Sequence, residues 1–593
     1  MNTMNINIPL KNKNLAALAA LGLALTGTHA AHASGPSGSG PKAIQVKTDQ
    51  ALTQAMAANQ KSGWTPAIVK TAGPLTPSQM AQITALGADI TRHLPIISAV
   101  SLRVPTHNLA KLAALPFVTH LSFDGQIKKC DGFTEASTGA DVAYQQYGLT
   151  GQGVTVAVLD SGVNGYVSDL SGRVVDGVSP LGGSSANDPC GHGTHVAGII
   201  AGSGASSTGA GYTHTFHGIA RNTSLVSVRV LDSYGLGSVS TVISGLQWVV
   251  ANKAKYNIRV INLSLGHPVG ESYTTDPLCQ AVEAAYRAGI VVVCAAGNGG
   301  RASMAQTAGA ANEGWGTNYG SITAPGNDPY VITVGATKSM DGVRAHDRIA
   351  TYSGRGPSRL DLVLKPDLIA PGNRVISLDA PKGYLDNTYY ATNAVPVSAY
   401  CNTKNLRASR TYFCLSGTSM AAPVVAGAAA LLLQASPNLT PDTVKARLMV
   451  SADKWHDPSG KYDPLTYGAG YLNIPAALQS TVTVSHPALS PTQGRDANGN
   501  VGILGSTNCV WGTNIIWGTN VIWGTNVIWG TNVIWGTNVI WGTNVIWGTG
   551  STFANGTLAS SNVIWGTSVW SDNVIWGTSG SAVDLSSVAV NGE

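Results

Sequence analysis

The chain has 593 residues, 44% hydrophobic and only 11% charged, with 70 Gly and a formal net charge of +5. That length exceeds what one hydrophobic core organises, and that composition excludes a disordered chain. The small net charge and the lack of any basic run exclude a nucleic-acid partner.

The first 33 residues carry the three regions of an export signal: Lys11 and Lys13, an apolar stretch from Leu15 to Leu25, and Ala31-His32-Ala33 before Ser34. A retained anchor is the alternative, but the apolar stretch is short for a bilayer. The expected location is secreted or cell surface, where disulfides are permitted. Of seven Cys, Cys401 and Cys414 flank a polar stretch before Ser419 and are the expected bridge. Cys294 closes an apolar run and is expected as a buried thiol. Cys130, Cys190, Cys279 and Cys509 show no legible pairing, and no spacing suits zinc.

Residues 34–63 are rich in Gly, Ser and Ala. Strands are then expected over Ala67–Thr71, Ala88–His93, Ile96–Val104 and Phe117–Phe123, with helices over Thr76–Leu86 and Leu109–Leu115. Thr76 is the expected N-cap, with Pro77 in the first turn. This β-α-β-β-α-β order is a ferredoxin-like α+β unit, within 34–129.

From Thr150 the pattern changes. Val154–Leu159, Ser224–Val230, Val260–Ser264 and Val291–Ala295 are continuous apolar runs, as in a parallel sheet buried on both faces. Helical segments separate them: His195–Ala201, Val239–Ala251, Leu278–Ala288 and Ala421–Gln434. The expectation is an α/β sheet flanked by helices, within residues 130–480. A linker is expected over 481–505. In the tail, 506–593, Asn-Val-Ile-Trp-Gly-Thr recurs seven times in tandem from Asn508, with small variations in the first two copies, and twice more from Asn562 and Asn573. Period six, with Gly, Asn and β-branched residues, favours a β-rich stack turning at Gly-Thr-Asn, with Trp aligned on Trp and Asn on Asn. A low-complexity coil is the alternative.

Four strings carry chemistry. Val154–Leu159 runs into Asp160, at the carboxyl edge of a strand where α/β sheets gather their sites. Taken alone, Asp160 also suits a turn. His192 and His195 stand in Gly-His-Gly-Thr-His, a spacing also open to metal binding, though no acidic third ligand lies near. Asn298 follows a buried strand in Ala295-Ala296-Gly297-Asn298. Ser419 opens an apolar helix in Gly417-Thr418-Ser419-Met420, where it suits either an N-cap or a nucleophile beside helix-end N–H groups.

Together, VAVLDSGV, GHGTHVAG, VVVCAAGNGG and GTSMAAPVVAG, in that order, resemble the subtilase family of serine peptidases over roughly residues 130–480. The resemblance implies a triad of Asp160, His192 and Ser419, with Asn298 in the oxyanion hole and His195 as packing. It implies a cleft walled by Tyr234-Gly235-Leu236-Gly237 and Ser264-Leu265-Gly266. The primary pocket would be lined by Ser264, Leu265, Gly266, Ala295, Ala296 and Gly297, uncharged and suited to a large apolar side chain. The α+β unit is similar to the family's inhibitory propeptide, with Asp124–Asp131 threading the site, so the chain would be a self-maturing zymogen. Protein or peptide substrates and its own propeptide are the implied partners. The repeat tail adds self-association or a cell-surface polymer.

No cofactor is required for such chemistry. The resemblance also implies a structural calcium in many relatives, for which Asp169 could supply the carboxylate, but the loop Gly202–His217 has no acidic residue or Asn to complete a site. The segment Pro381–Tyr412 is an insertion with no implied role. Two other functions stay open: a non-catalytic binder on the same fold, and a scaffold whose protease part processes only itself.

Overall fold

The computed structural model describes residues 63–124, 137–184, 187–301, 316–339, 343–403, 408–457 and 463–495. It adds short pieces between 47 and 56, the backbone strand 126–129, and isolated strand backbone between 501 and 558. The expected signal segment and most of the repeats lie outside the described residues.

The first unit has strands β1 (Trp64–Thr71), β2 (Asp89–Leu94), β3 (Ala99–Pro105) and β4 (Val118–Phe123), with helices Pro77–Ala85 and Leu109–Ala113. The strands form an antiparallel sheet in the order β2-β3-β1-β4. Thr76 starts the first helix with a capping box: Thr76 Oγ1 accepts from Gln79 N–H, and Gln79 Oε1 accepts from Thr76 N–H. Ile83, Leu109 and Leu112 pack on Val69, Leu102, Val104 and Leu121. The strand expected over Ile96–Val104 begins late. Pro95–Ile97 is a 3₁₀ turn, and Ser98 adopts φ +53 before β3 starts. The turn delivers Ile97 to an apolar cluster with Val242, Leu246 and Leu278 of the larger unit. Strand geometry yields to burial there.

The larger unit is built on an eight-stranded sheet in the order β14-β13-β12-β10-β6-β8-β7, with β15 also pairing β13. Its strands are β6 (Thr155–Asp160), β7 (Val174–Val178), β8 (Ser224–Arg229), β10 (Ile258–Leu263), β12 (Val291–Ala295), β13 (Ile332–Lys338), β14 (Arg348–Ile349) and β15 (Leu368–Pro371). All pairs are parallel except β13 with β14. Helices Val239–Tyr256 and Pro277–Arg287 cover one face. Helices His192–Ala201 and Thr418–Ala435 cover the other. Thr418–Ala435 is long and apolar enough to cross a membrane but lies 89% buried, as the core helix of this unit.

Two expectations change, and a third holds in one strand pairing but not in the other. Cys401 and Cys414 are free thiols, not a bridge. Cys401 lies within the insertion and bridges to Tyr212, whereas Cys414 lies just past it and pairs with Ile376 in a sheet. The first half of the expected linker is docked rather than free. Leu364 N–H donates to Pro491 O (2.8 Å), Gln493 N–H to Leu362 O (2.9 Å), and Ser490 Oγ to Asp367 Oδ1 (2.5 Å). In the tail, Asn508–Trp511 and Asn514–Trp517 pair antiparallel, with Asn508 opposite Trp517 and Trp511 opposite Asn514. Between these adjacent hexads the register sets Asn opposite Trp, but Asn514–Trp517 also pairs parallel with Val533–Ile534, Ile515 opposite Val533 and Ile516 opposite Ile534, which aligns like positions of hexads three repeats apart as expected.

Candidate active site

The carboxyl ends of three central strands deliver the site. β6 ends on Asp160, β10 runs into Ser264, and β12 runs into Ala296-Gly297-Asn298. His192 is the first residue of its helix and Ser419 the second of its own. Both helices therefore begin at the site, where their first N–H groups lack helical partners.

His192 Nδ1 lies 2.7 Å from Asp160 Oδ1, with both side chains fully buried. That contact fixes Nδ1 as the end facing the carboxylate and leaves Nε2 as the end for chemistry. Ser161 N–H also donates to Asp160 Oδ1, at 2.7 Å. Gly193 follows His192 because nothing larger fits: a Cβ there would stand 2.0 Å from Gly162 O and 3.1 Å from Asp160 Cβ. Ser419 and Ser264 exchange hydrogen bonds. Ser419 Oγ donates to Ser264 O (3.0 Å), and Ser264 Oγ donates to Ser419 O (2.5 Å). Asn298 Oδ1 accepts from Thr418 N–H (2.8 Å) and Thr418 Oγ1 (3.1 Å), which commits the oxygen end of its amide. His195 faces away: its Nε2 donates to Phe413 O at 3.1 Å, inside the core.

Two residues the sequence reading missed hold these groups in place. Asp188 accepts at Oδ1 from Gly191 N–H (2.8 Å) and Ser161 Oγ (2.8 Å), and at Oδ2 from Thr194 N–H and Thr194 Oγ1 (both 2.7 Å). It ties the start of the His192 helix to the residue beside Asp160. Burial pushes its carboxyl up, while these hydrogen bonds pull it down. An acidic residue four before His192 was the available signal. Thr323 is the other, packed beneath both walls of the expected pocket. A Cβ on Gly266 would meet Thr323 Oγ1 at 2.6 Å, and one on Gly297, where φ is +96°, would meet Thr323 Cγ2 at 2.8 Å.

The expected walls are edge strands. β9 (Leu236–Ser238) and β11 (Leu265–Gly266) flank β5 (Gln126–Lys129), the strand that follows the α+β unit, in a three-stranded antiparallel sheet. Ile127 pairs with Gly237, Lys128 with Leu236 on one side and Gly266 on the other, and Lys129 with Leu265. Gly235 and Tyr234 continue the first wall. Ala295 and Ala296 are buried beside it. A separate cavity of about 420 Å³ between the two units, lined by Lys70, Ile97, Tyr273, Glu283 and Arg287, shares none of these residues.

Asp169, the carboxylate considered for a cation, has protein partners at both oxygens. Its Oδ1 accepts from Ser206 N–H (2.7 Å) and its Oδ2 from Tyr412 Oη (2.8 Å). Tyr412 comes from the insertion, and its ring meets Tyr400 and Phe216 edge-on, which ties the insertion to the 202–217 loop. Both carboxylate oxygens are thus hydrogen-bonded within the protein.

Comparison with known proteins shows the family and the fold. A model of the subtilase family matches residues 151–471. The serine protease AprX of Bacillus subtilis is 38% identical over 354 residues, 58% of this chain and 70% of that protein. Subtilisin DY of Bacillus licheniformis is 35% identical over 336 residues, 56% of this chain and 94% of its own. An extracellular serine proteinase of a Thermus species is 34% identical over 62% of this chain and 74% of its own. The crystal structure of fervidolysin from Fervidobacterium pennivorans, a keratinolytic enzyme related to subtilisin, superposes with a TM-score of 0.52 at 22% identity. The match covers 74% of this chain and 65% of that one, and it shows a shared fold.

Proposed function

The chain belongs to the subtilase family, and from that premise we propose a secreted, self-maturing endopeptidase in which Ser419 is the nucleophile, His192 the general base and Asp160 the group that orients it. That it is a subtilisin-like serine endopeptidase follows from the family itself. The residue assignment rests on one observation above all: the 2.7 Å contact between His192 Nδ1 and Asp160 Oδ1, at the strand ends where Ser419 opens its helix.

The chemistry follows from those positions. His192 Nε2 takes the Ser419 proton as Oγ attacks the substrate carbonyl carbon. Asp160 holds the ring in the required tautomer and stabilises its charged form. The tetrahedral intermediate carries an oxyanion, which the Asn298 amide NH₂ and the Ser419 N–H stabilise. His192 then gives the proton to the leaving amine, and water hydrolyses the acyl-enzyme by the same steps reversed. Substrate adds as a strand between β9 and β11, so backbone hydrogen bonds supply affinity and the uncharged Ala295-Ala296-Gly297 wall favours an apolar side chain.

The zymogen reading draws on β5, which already lies where a substrate strand would lie. A peptide in that register offers its next residue to Ser264, whose carbonyl holds the Ser419 hydroxyl. In this chain the next residue is Cys130. Self-cleavage then falls between Cys130 and Asp131, one residue past the boundary expected from sequence. The test is expression of wild type and Ser419→Ala in a host lacking other proteases. The wild-type product should begin at Asp131 on N-terminal sequencing, while the variant should lose its signal and keep the α+β unit. Normal maturation of Ser419→Ala contradicts the assignment.

A further inference from the structure

We propose that Tyr234 on the cleft wall and Tyr384 on the insertion together form a specificity subsite, taking a basic side chain from the substrate residue just before the acyl residue. The proposal rests on the peptidase reading above and names a substrate preference for the same cleft.

The insertion is built onto the catalytic helix. Tyr384 N–H donates to Pro189 O (2.8 Å) and Leu385 N–H to Cys190 O (2.9 Å), immediately before His192. Leu385 is buried, and its side chain lies within contact of a Cβ built on Gly191. Asp386 anchors the first turn by accepting from Lys382 N–H (2.8 Å) and pairing with Arg410. This fixes Tyr384 across the gap from Tyr234, edge to face, with ring centroids 5.2 Å apart at 69°. Tyr389 backs Tyr384 at 6.4 Å and 89°. Tyr234 is 62% exposed, so its ring is open to the cleft side. Its backbone is held: Asp232 Oδ1 accepts from both Tyr234 N–H (2.8 Å) and Leu236 N–H (3.0 Å).

Register says which substrate residue meets this pair. Lys128 stands opposite Leu236 in an antiparallel pairing. The next position, held here by Lys129, therefore falls opposite Gly235, the chain neighbour of Tyr234, while on the other edge it pairs with Leu265, one residue short of Ser264. It is the residue before the acyl residue. The chemistry of the rim selects its class. Ring faces carry the negative side of the aromatic quadrupole, and an edge-to-face pair leaves one open to a cation. The Asp232 carboxylate lies two residues from Tyr234. The strand this chain places along the wall carries Lys128 and Lys129 at this end. The insertion pairs a cation with an aromatic ring once already, with the Arg410 guanidinium 4.7 Å from the Tyr390 centroid.

The test is steady-state kinetics of the matured enzyme, expressed as the full chain, on three peptides of one sequence with Lys, Leu or Glu before the acyl residue. The Lys peptide should exceed the Leu peptide by about tenfold in kcat/KM, mainly through KM, with Glu lowest. Tyr384→Ala and the rim variant Tyr234→Ala should each bring the Lys-to-Leu ratio within about twofold, while Tyr384→Phe should keep it. Equal rates for Lys and Leu in wild type, or a ratio that survives both alanine variants, would overturn the subsite and leave the peptidase standing. Failure to cut any of the peptides would remove both.

Discussion

The Asn298 amide is held by its oxygen. Thr418 donates to it twice, so the NH₂ end is the one that can meet negative charge as it develops on the substrate carbonyl. Asn298→Ala should lower kcat by about a hundredfold to a thousandfold, the range already measured for this family's oxyanion donor, with KM little changed. A raised KM at unchanged kcat would make Asn298 a binding residue instead. Asp367 is the structural counterpart, fully buried between Lys365 Nζ (2.7 Å) and Lys445 Nζ (3.5 Å). Burial works against its charge, but the two ammonium groups outweigh it and hold its carboxyl below the usual range. A depressed carboxyl contributes stability above its unfolded value near 3.9 and loses it as pH falls through the folded one. Asp367→Asn should therefore cost about 3 to 5 kcal/mol at pH 7, leaving two buried cations short of a counter-charge. The difference in melting temperature from wild type should shrink towards pH 3. A difference independent of pH would mean that lost packing, not charge, is responsible.

At the scale of elements, the segment after the last helix changes what truncation should do. Ser490 Oγ accepts from Lys445 Nζ (2.9 Å) and donates to Asp367, and Ser490 N–H donates to Pro329 O (3.0 Å). A chain ending after residue 495 should keep full peptidase activity and wild-type stability. One ending after residue 480 should melt several degrees lower, because Lys445 and Asp367 lose a partner in the core. Equal melting of the two would show the docked segment to be passive. Elements with a local cause were legible: Thr76 with Gln79, the apolar runs of β6, β10 and β12, and the small residues around His192 and Ser419. Features set by distant partners were not. Nothing near Asp188 in sequence announces Ser161, nothing near Tyr384 announces Tyr234, and Ile97 gave up strand geometry to reach helices more than a hundred residues away. The Cys401–Cys414 expectation failed for the same reason, since closeness in sequence stood in for a sheet register that separates the two.

The molecule as a whole joins the α+β unit to the catalytic sheet by more than β5. Asp124 Oδ1 accepts from Ser240 N–H (2.9 Å) at the start of helix Val239–Tyr256, and Asp124 Oδ2 accepts from Ser101 Oγ (2.7 Å). His120 Nε2 meets Glu271 Oε2 at 2.5 Å, and Arg92 reaches Pro180 O at 2.8 Å. With Ile68, Leu94 and Ile97 in the shared apolar cluster, the unit is held over a helix face while its trailing strand lies between β9 and β11, the position that the proposed zymogen reading calls for. The central claim is that Ser419 is the nucleophile of a peptidase, and its most direct test is covalent labelling of the matured enzyme with a fluorophosphonate, followed by peptide mapping and a casein digestion assay on the same sample. The account predicts stoichiometric label on Ser419 alone, with digestion lost in proportion. Label on another residue, or digestion that persists with Ser419 fully labelled, would contradict it.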